Sequence, residues 1–386
     1  MNPSARGWLK KLFKSLEKEQ YQSLTLLDFY PKLKLSGFIY GSNVAVVYNF
    51  LSNSDYNQEE RCKINFTLAL YVVYQSHGDF QTDFKNSIIS FYEKIGFYKT
   101  NFLREIIGSD AESIIHKRIQ IDDNVLTKNF NLFATNALLF MDVLAFDQFL
   151  STSKNINAYL LSLENSVQTI VSSALNSKAE KNKYDFSLIK LLEASSRQSK
   201  QGYRSYDEIQ SNDFSKLETL YLLDLVCMAT WSDKQIDNSE QQFLDDFGSK
   251  FNLSTSEISS AVDAVNTFYE AYKSDIALLS TKNLATRFYD HSSGMVKKLI
   301  VRNSKRLYQE LKESQELVML LSQSTIRDLN QVEQKKMQEQ MMDLLKSIPS
   351  LAIFMLPGGA FLLPLFIKFI PKLLPSAFDD NRIEDE

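Results

Sequence analysis

The sequence contains little proline and glycine and shows no sustained alternation of apolar and polar residues. Proline does not occur between Lys32 and Ile348, and the whole chain has only 11 glycines. Because proline and glycine are the residues that most often interrupt helices, and because alternation is the signature of strands, these absences predict an all-α protein. With 386 residues, 44% of them hydrophobic and 12% aromatic, the chain is long enough for two or more helical domains.

Cysteine and histidine are also scarce, which leaves few candidates for catalysis or metal binding. Cys62 and Cys227 lie far apart in apolar surroundings and are predicted to be buried. The three histidines, His77, His116 and His291, are scattered, and we expect no metal site from any pair of them. No nucleophile elbow, phosphate-binding loop or dinucleotide-binding glycine motif occurs. We therefore expect a protein that is not an enzyme and has no cofactor.

The charges of the chain are nearly balanced. Its 43 basic and 47 acidic residues give a net charge of -4, which disfavours DNA as a partner. Residues 1–20 carry no secretory signal, but they predict a basic amphipathic helix. The apolar side of this helix contains Trp8, Leu9, Leu12, Phe13 and Leu16, and the other side contains most of Arg6, Lys10, Lys11 and Lys14. Such a helix either lies at a membrane interface or packs on its own domain.

One uncharged run stands out near the C-terminus, from Ser347 to Ile367. At about 1.5 Å per helical residue it could cross the roughly 30 Å hydrocarbon core of a bilayer. The predicted membrane segment, residues 347–375, also holds most of the helix-interrupting residues. These are Pro349, Pro357, Gly358, Gly359, Pro364, Pro371 and Pro375. The segment is therefore expected to be a kinked spanning helix or two half-helices, and the alternative is a buried helical hairpin in a protein core.

These prolines carry a resemblance to a known family. Leu362-Leu363-Pro364, Ile370-Pro371 and Leu374-Pro375-Ser376-Ala377-Phe378 resemble the membrane segment of leucine-zipper and EF-hand-containing transmembrane (Letm-type) proteins. The preceding helix, from Asp328 to Leu345, is similar to the helix that leads into that segment. The whole layout resembles the bacterial Letm-related biofilm-associated proteins. The resemblance implies a position at the bilayer and a ribosome or protein partner.

Two departures from the family pattern bear on function. The family places a glutamate within the membrane three residues after its second proline, and this sequence has Ala360 there. Because an intramembrane acid is the natural group to move a cation or proton, its absence weakens a transport role. The family also continues into a large ribosome-binding-like domain, whereas this sequence ends in an acidic tail, residues 376–386.

The middle of the chain divides into helical segments. We expect a helical domain over residues 21–200, a linker at 193–205, a helical module over 206–280, and long helices over 281–346 that lead to the membrane segment. Residues 223–254, LDLVCMATWSDKQIDNSEQQFLDDFGSKFNLS, resemble the TerB-like domains of tellurite-resistance proteins. The resemblance implies a compact module of helices around an acidic loop.

The acidic loop of this module is a candidate cation site. Asp233, Asp237 and Glu240 are close enough in sequence to bind a divalent cation. Helix capping is the alternative, because Asp237 and Glu240 have capping-box spacing, as do Ser254 with Glu257 and, further along the chain, Asn330 with Glu333. The loop lacks the glycine and the final bidentate glutamate of an EF-hand.

A basic patch is predicted after this module. Lys298, Arg302, Lys305 and Arg306 share one helical face. Such a patch could contact lipid phosphates or ribosomal RNA, and the alternative is an ordinary solvated face.

The sequence therefore predicts a non-enzymatic, membrane-anchored interaction protein of the Letm-related, biofilm-associated type, with a possible ribosome association. The lack of an export signal places it at the bacterial inner membrane with most of the chain in the cytoplasm. The expected partners are the lipid bilayer and a protein or the ribosome, and self-association is left open. The alternative is a component of potassium or proton homeostasis.

Overall fold

The computed structural model describes residues 1–19, 24–53, 56–78, 83–95, 110–119, 125–152, 155–179, 181, 204–230, 238–272, 293–294, 296–348, 351, 354 and 362–375. These residues form helices joined by turns and contain no strand, so the prediction of an all-α fold is confirmed. The helices are α1 (Trp8–Lys18), α2 (Leu26–Leu35), α3 (Gln58–Ser76), α4 (Phe84–Lys94), α5 (Ala111–Ile119), α6 (Val125–Thr152), α7 (Ile156–Ser177), α8 (Lys216–Thr230), α9 (Asn238–Lys250), α10 (Thr255–Tyr272), α11 (Ser304–Lys312), α12 (Gln315–Ile326), α13 (Gln331–Ser347) and α14 (Leu363–Leu373).

Helix α3 is the centre of the N-terminal part and contacts α2, α5 and α6. It begins at a capping box, in which the Asn57 side chain accepts a hydrogen bond from the Glu60 backbone and the Glu60 carboxylate accepts one from the Asn57 backbone. Because this reciprocal pair satisfies two of the free amides at the helix start, it defines where α3 begins. Side chains on all sides of α3 are buried, including the polar Lys63 and Asn65, as expected for a helix surrounded by others.

Helix α1 packs on its own domain, which confirms one of the two alternatives for residues 1–20. Its buried side chains are Trp8, Leu9, Leu12 and Leu16. The Phe13 ring lies 4.8 Å from the ring of Tyr71, centroid to centroid. The backbone amides of Gly7 and Leu9 donate to the Glu112 carboxylate at 2.7 and 2.9 Å, so a residue of α5 caps the start of α1. The apolar side of α1 is therefore not available as a membrane-facing surface in this conformation.

The predicted module over 206–280 contains helices α8, α9 and α10, which contact one another. Helices α8 and α9 also contact α7. The Ser254–Glu257 capping box is confirmed, with the Ser254 backbone donating to Glu257 Oε2 at 2.8 Å and the Glu257 backbone donating to Ser254 Oγ at 3.3 Å. The start of α9 at Asn238 agrees with the spacing of Asp237 and Glu240. Residues 273–280, and 193–203 of the predicted linker, lie outside the described residues.

The last helices form a second set centred on α12, which contacts α11, α13 and α14. Residues 296–302 are also helical. Where long helices were expected, α11, α12 and α13 have 9, 12 and 17 residues. The predicted cap of α13 is confirmed, because the Asn330 side chain accepts from the Val332 and Glu333 backbones and the Asn330 backbone donates to Glu333.

Both cysteines are buried, as the sequence predicts. Cys62 has no exposed surface and Cys227 is 3% exposed. Burial raises the pKa of both thiols well above the ordinary value, which keeps them protonated and unreactive. Of the histidines, His77 contacts Asp147 at 2.8 Å, His116 lies 3.8 Å from Glu59, and His291 lies outside the described residues.

Candidate interaction surface of the C-terminal helices

The four residues of the predicted basic patch are all exposed. Two of them lie in the helical residues 296–302 and two lie in α11. We call Lys298, Arg302, Lys305 and Arg306 the basic face. Their helices are held to the protein by the opposite side, where the buried residues are Val296, Leu299, Ile300, Leu307 and Leu311. Because apolar side chains recur every three or four residues there, the basic residues must project to the other side. The sequence prediction of one shared face is therefore consistent with the observed exposure.

The basic face has a strong local charge. Residues 296–312 contain six Lys and Arg residues and one Glu, although the whole chain has a net charge of -4. Among the described residues, no carboxylate forms an ion pair with Lys298, Lys305 or Arg306. Cations without such partners retain their full attraction for an approaching anion.

Helix α14, near the end of the described residues, packs beside the basic face. Lys297, beside the basic face, places its Nζ 4.6 Å from the centroid of the Phe369 ring on α14, which is cation–π distance. The Phe366 ring lies 5.0 Å from the Phe354 ring. Helix α14 and the helix over 296–302 are therefore in direct side-chain contact.

The described part of the predicted membrane segment is mostly buried in protein. The buried residues of α14 are Pro364, Leu365, Phe366, Ile367, Phe369 and Ile370. Pro364 lies in the first turn of α14, where the missing amide hydrogen costs no hydrogen bond, and Pro371 lies near its end. Pro375 follows α14 and is exposed. No helix in the part of the chain that the structure describes is long and apolar enough to cross a membrane.

The other prolines and the glycines of the predicted membrane segment lie outside the described residues. They are Pro349, Pro357, Gly358 and Gly359.

The turn between α12 and α13 is stabilised by an ion pair and carries exposed apolar side chains. Both guanidinium nitrogens of Arg327 donate to the Glu333 carboxylate, at 2.8 and 2.7 Å. Together with the Asn330 backbone, Arg327 lowers the pKa of Glu333 to about 2. Ile326 and Val332, on either side of the turn, are 85% and 76% exposed. Such exposure of two large apolar side chains is compatible with a contact surface.

The candidate cation site is only partly visible. Asp233 and Asp237 lie outside the described residues, whereas Glu240 is described and is 2% exposed. No group of three or more His, Cys, Asp or Glu side chains suited to a metal occurs among the described residues. The cation hypothesis for these three residues thus remains a prediction.

Sequence reasoning missed two buried clusters that each join a cation, an aspartate and a tyrosine. In the first, the Arg118 guanidinium donates to both oxygens of Asp142 at 2.7 and 3.0 Å, and the Tyr92 hydroxyl donates to Asp142 at 2.7 Å. In the second, Lys34 pairs with Asp224 at 2.8 Å and the Tyr30 hydroxyl donates to Asp224. The sequence did contain a signal for these clusters, because each aspartate interrupts an apolar run, LLFMDVLAF for Asp142 and YLLDLVCM for Asp224.

Comparison with protein-family models matches residues 329–386 to the family described as LETM1-like, RBD. Residues 329–386 are thus similar to this family, and we call them the LETM1-like segment. No curated protein and no solved structure matches the chain. The matched residues include α13 and α14, and α12 and the basic face precede them. The Letm-type resemblance is thus supported for this segment, whereas the TerB-like and biofilm-associated resemblances stay predictions.

The match is to the RBD (ribosome-binding domain) model of the family, and this bears on the second departure noted in the sequence. The sequence motifs predict that residues 362–378 correspond to the membrane segment of the family, which precedes its ribosome-binding-like domain. The matched residues fall within that model, and two of their helices, α13 and α14, contact α12. Helix α14 of the segment that resembles the family therefore lies beside the basic face.

Proposed function

We propose that this protein is a non-enzymatic interaction protein that contacts the ribosome through its C-terminal helices, with the basic face as the contact to ribosomal RNA. The observation that carries the proposal is the position of the basic face beside α14, within the helices that include the LETM1-like segment. Neither observation is sufficient by itself, because basic helix faces are common and a family match does not define a binding surface.

The proposed contact is electrostatic. Lys298 and Arg302 are exposed on the helical residues 296–302, and Lys305 and Arg306 are exposed in the first turn of α11. Each phosphate that such a side chain neutralises releases condensed counterions, which favours binding at low salt. Arginine adds planar, two-pronged hydrogen bonding to phosphate oxygens. A face of this kind would recognise the shape and charge of folded RNA more than its sequence.

Membrane anchoring is the second part of the proposal. The support is the uncharged run from Ser347 to Ile367, which is long enough for a bilayer. Because the apolar side of α14 is buried in protein, insertion of this helix would require it to leave α12. We propose a Letm-related, biofilm-associated type of protein at the bacterial inner membrane, with its helical body in the cytoplasm.

Alkaline carbonate extraction of membranes tests the anchor. We expect the full chain to stay with the membrane and a chain that ends at Lys346 to be released. Release of both would contradict anchoring by residues 347–375 and leave the ribosome contact to be judged separately.

Co-sedimentation with purified bacterial ribosomes tests the contact. The variant Lys298→Gln/Lys305→Gln removes two charges that have no described carboxylate partner. We expect weaker co-sedimentation at low salt and a slope of log affinity against log salt that is reduced by about 2, one for each lost phosphate contact.

The matched control is Lys10→Gln/Lys14→Gln, which removes two exposed lysines from α1. The control is expected to bind as the unaltered protein does. Equal loss in both variants would indicate a general charge effect, and no loss in either would exclude the basic face as the contact.

A further inference from the structure

A strongly acidic segment follows helix α14, the helix that lies beside the basic face. This segment is the acidic tail, residues 376–386, and it reads SAFDDNRIEDE. It contains five acidic residues and one arginine, whereas the basic face consists of four cations. The acidic tail lies outside the described residues, so its place on the protein is inferred from where α14 ends and from what its residues complement.

The acidic tail begins close enough to reach the basic face. The Phe369 ring lies 4.6 Å from Lys297 Nζ, and the chain stays helical as far as Leu373. At about 1.5 Å per helical residue and at most about 3.6 Å per extended residue, Pro375 is within about 14 Å of Phe369. Because eleven further residues can extend up to about 40 Å, the acids of the tail can contact any part of the basic face.

The surface where the acidic tail begins is basic. Residues 296–312 and 362–375 together contain eight Lys and Arg residues and one Glu. Among the described residues, no carboxylate forms an ion pair with Lys298 or Lys305. One exposed ion pair contributes little by itself, but several charges that act together contribute more. A tether also keeps the tail at an effective concentration of about millimolar, so that weak contacts are sufficient to hold it.

An exposed apolar side chain lies among the cations of the basic face. Val301 is 59% exposed, and residues three and four positions apart share one side of a helix, so Val301 and Arg302 both lie beside Lys298. The acidic tail carries Phe378 and Ile383 among its acids. An apolar side chain of the tail would cover Val301 while the carboxylates contact the cations. The tail therefore complements both the charge and the apolar part of the basic face.

We propose that the acidic tail binds the basic face of its own chain and competes there with RNA phosphates. The competition rests on the proposed ribosome contact, whereas the binding of the tail to the basic face does not. A tethered competitor is always present, so a ligand must displace it before binding. Isolated phosphates would fail to do so, whereas folded RNA, with its dense charge, would succeed. The tail thereby makes the basic face selective for dense polyanions.

Zero-length crosslinking of the full chain with a carbodiimide tests the contact without any ribosome. The reagent joins a lysine amine to a carboxylate only when the two groups touch. At low salt we expect links from Lys298 and Lys305 to the acids of the tail, at least several times more often than from the exposed Lys10 and Lys14 of α1. An equal mixture of isotopically light and heavy chains shows which chain supplies the tail, because links within one chain never join light to heavy.

The variant Arg302→Gln/Arg306→Gln removes two charges from the basic face and keeps both of its lysines available for crosslinking. We expect severalfold fewer links between these lysines and the tail, and none at about 1 M salt, where electrostatic attraction is screened beyond about 3 Å. The matched control, Lys10→Gln/Lys14→Gln, is expected to leave the links unchanged. Links that persist in the arginine variant and at high salt would reflect the tether alone and would overturn the proposed contact.

Co-sedimentation with purified bacterial ribosomes tests the competition. The variant Asp379→Asn/Asp380→Asn weakens the tail and is expected to bind ribosomes about threefold more tightly than the unaltered chain at low salt. The matched control, Asp245→Asn/Asp246→Asn, removes an adjacent pair of exposed aspartates from α9 and is expected to bind as the unaltered chain does. Circular dichroism establishes that each variant is folded.

The outcomes separate this proposal from the proposed function. Links that join light to heavy chains would overturn it and give the basic face to the tail of a second copy. Links no more frequent at Lys298 and Lys305 than at Lys10 and Lys14 would also overturn it. Equal ribosome affinity of the two aspartate variants would overturn the competition. If the unaltered chain does not bind ribosomes, the proposed function fails, and the crosslinks alone decide whether the tail contacts the basic face.

Discussion

Individual buried side chains show that this helical interior is not purely apolar. Arg118 and Asp142 are 1% and 0% exposed and form a two-pronged ion pair. Although burial alone would lower the pKa of Arg118, the Asp142 carboxylate raises it above its ordinary value, so Arg118 keeps its charge. Removing one member of such a buried pair lowers stability strongly, whereas replacing both members with neutral residues changes stability little.

Replacing Asp142 with Asn is therefore expected to lower the free energy of unfolding by about 3 to 5 kcal/mol, because the buried Arg118 charge would lose its two-pronged partner. The double variant Arg118→Met/Asp142→Asn keeps an acceptor for the Tyr92 hydroxyl. Its free energy of unfolding is expected to lie within about 1 kcal/mol of that of the unaltered protein. Urea unfolding midpoints with unchanged slopes measure both. A double variant as unstable as the single one would show that the pair, and not the unpaired charge, supplies the stability.

Single helices depend on caps that are readable in the sequence and on caps that are not. The starts of α10 and α13 are local, since Ser254 with Glu257 and Asn330 with Glu333 lie three residues apart. The start of α1 is capped by Glu112, more than a hundred residues away. Only contacts made within one turn leave a spacing in the sequence.

The stabilisation that the cap of α10 contributes should depend on pH. The hydrogen-bonded contact with Lys216, together with the Ser254 backbone, lowers the pKa of Glu257 from 4.5 to about 2 in the folded protein. Because the folded-state pKa is the lower one, the stabilising contribution is complete above pH 4.5 and is lost as the pH falls towards 2. Glutamine at this position can still close the capping box, so Glu257→Gln removes only the charge.

We expect the unaltered protein to be more stable than Glu257→Gln by up to about 1 kcal/mol at pH 6, as for other partly exposed ion pairs, and the difference to shrink between pH 4.5 and 2. Urea unfolding over this range measures it. Asp263→Asn removes an exposed charge from the same helix without touching the cap and is the control. A difference that stays constant with pH would show that the charge of Glu257 does not contribute.

The molecule as a whole contains two sets of helices. Among the described helices, the extensive contacts of α11 to α14 are with one another, whereas α2 to α10 contact one another. The buried apolar side chains nevertheless form one connected cluster. Because local stability follows contact density, we expect the C-terminal set to open as a unit of its own.

Leu321→Ala tests this expectation. Leu321 lies on α12 and has no exposed surface, and loss of such a side chain typically costs about 2 to 5 kcal/mol. Hydrogen exchange measured by mass spectrometry is expected to show faster exchange in α12, α13 and α14 and unchanged exchange in α3. The matched variant Leu70→Ala, in α3, is expected to show the reverse. Faster exchange throughout the chain in both variants would indicate one cooperative unit.

Much of the fold could be predicted because its causes are local. The absence of proline between Lys32 and Ile348 predicted helices, and the capping spacings predicted where α10 and α13 begin. Helical spacing predicted one face for Lys298, Arg302, Lys305 and Arg306, and all four side chains are exposed. The proline pattern predicted the similarity of the C-terminal segment to the Letm-type family, which the match over residues 329–386 supports.

Other features depend on residues that are distant in the chain. The apolar sides of α1 and α14 could be buried against lipid or against protein, and the apolar pattern in the sequence is the same in either case. Which of the two occurs depends on the surface that the rest of the fold offers to each helix. The buried cluster of Tyr30, Lys34 and Asp224 likewise joins α2 and α8. Periodicity and spacing therefore determined the helices and their faces, whereas only packing in three dimensions decided which faces meet and which polar groups they enclose.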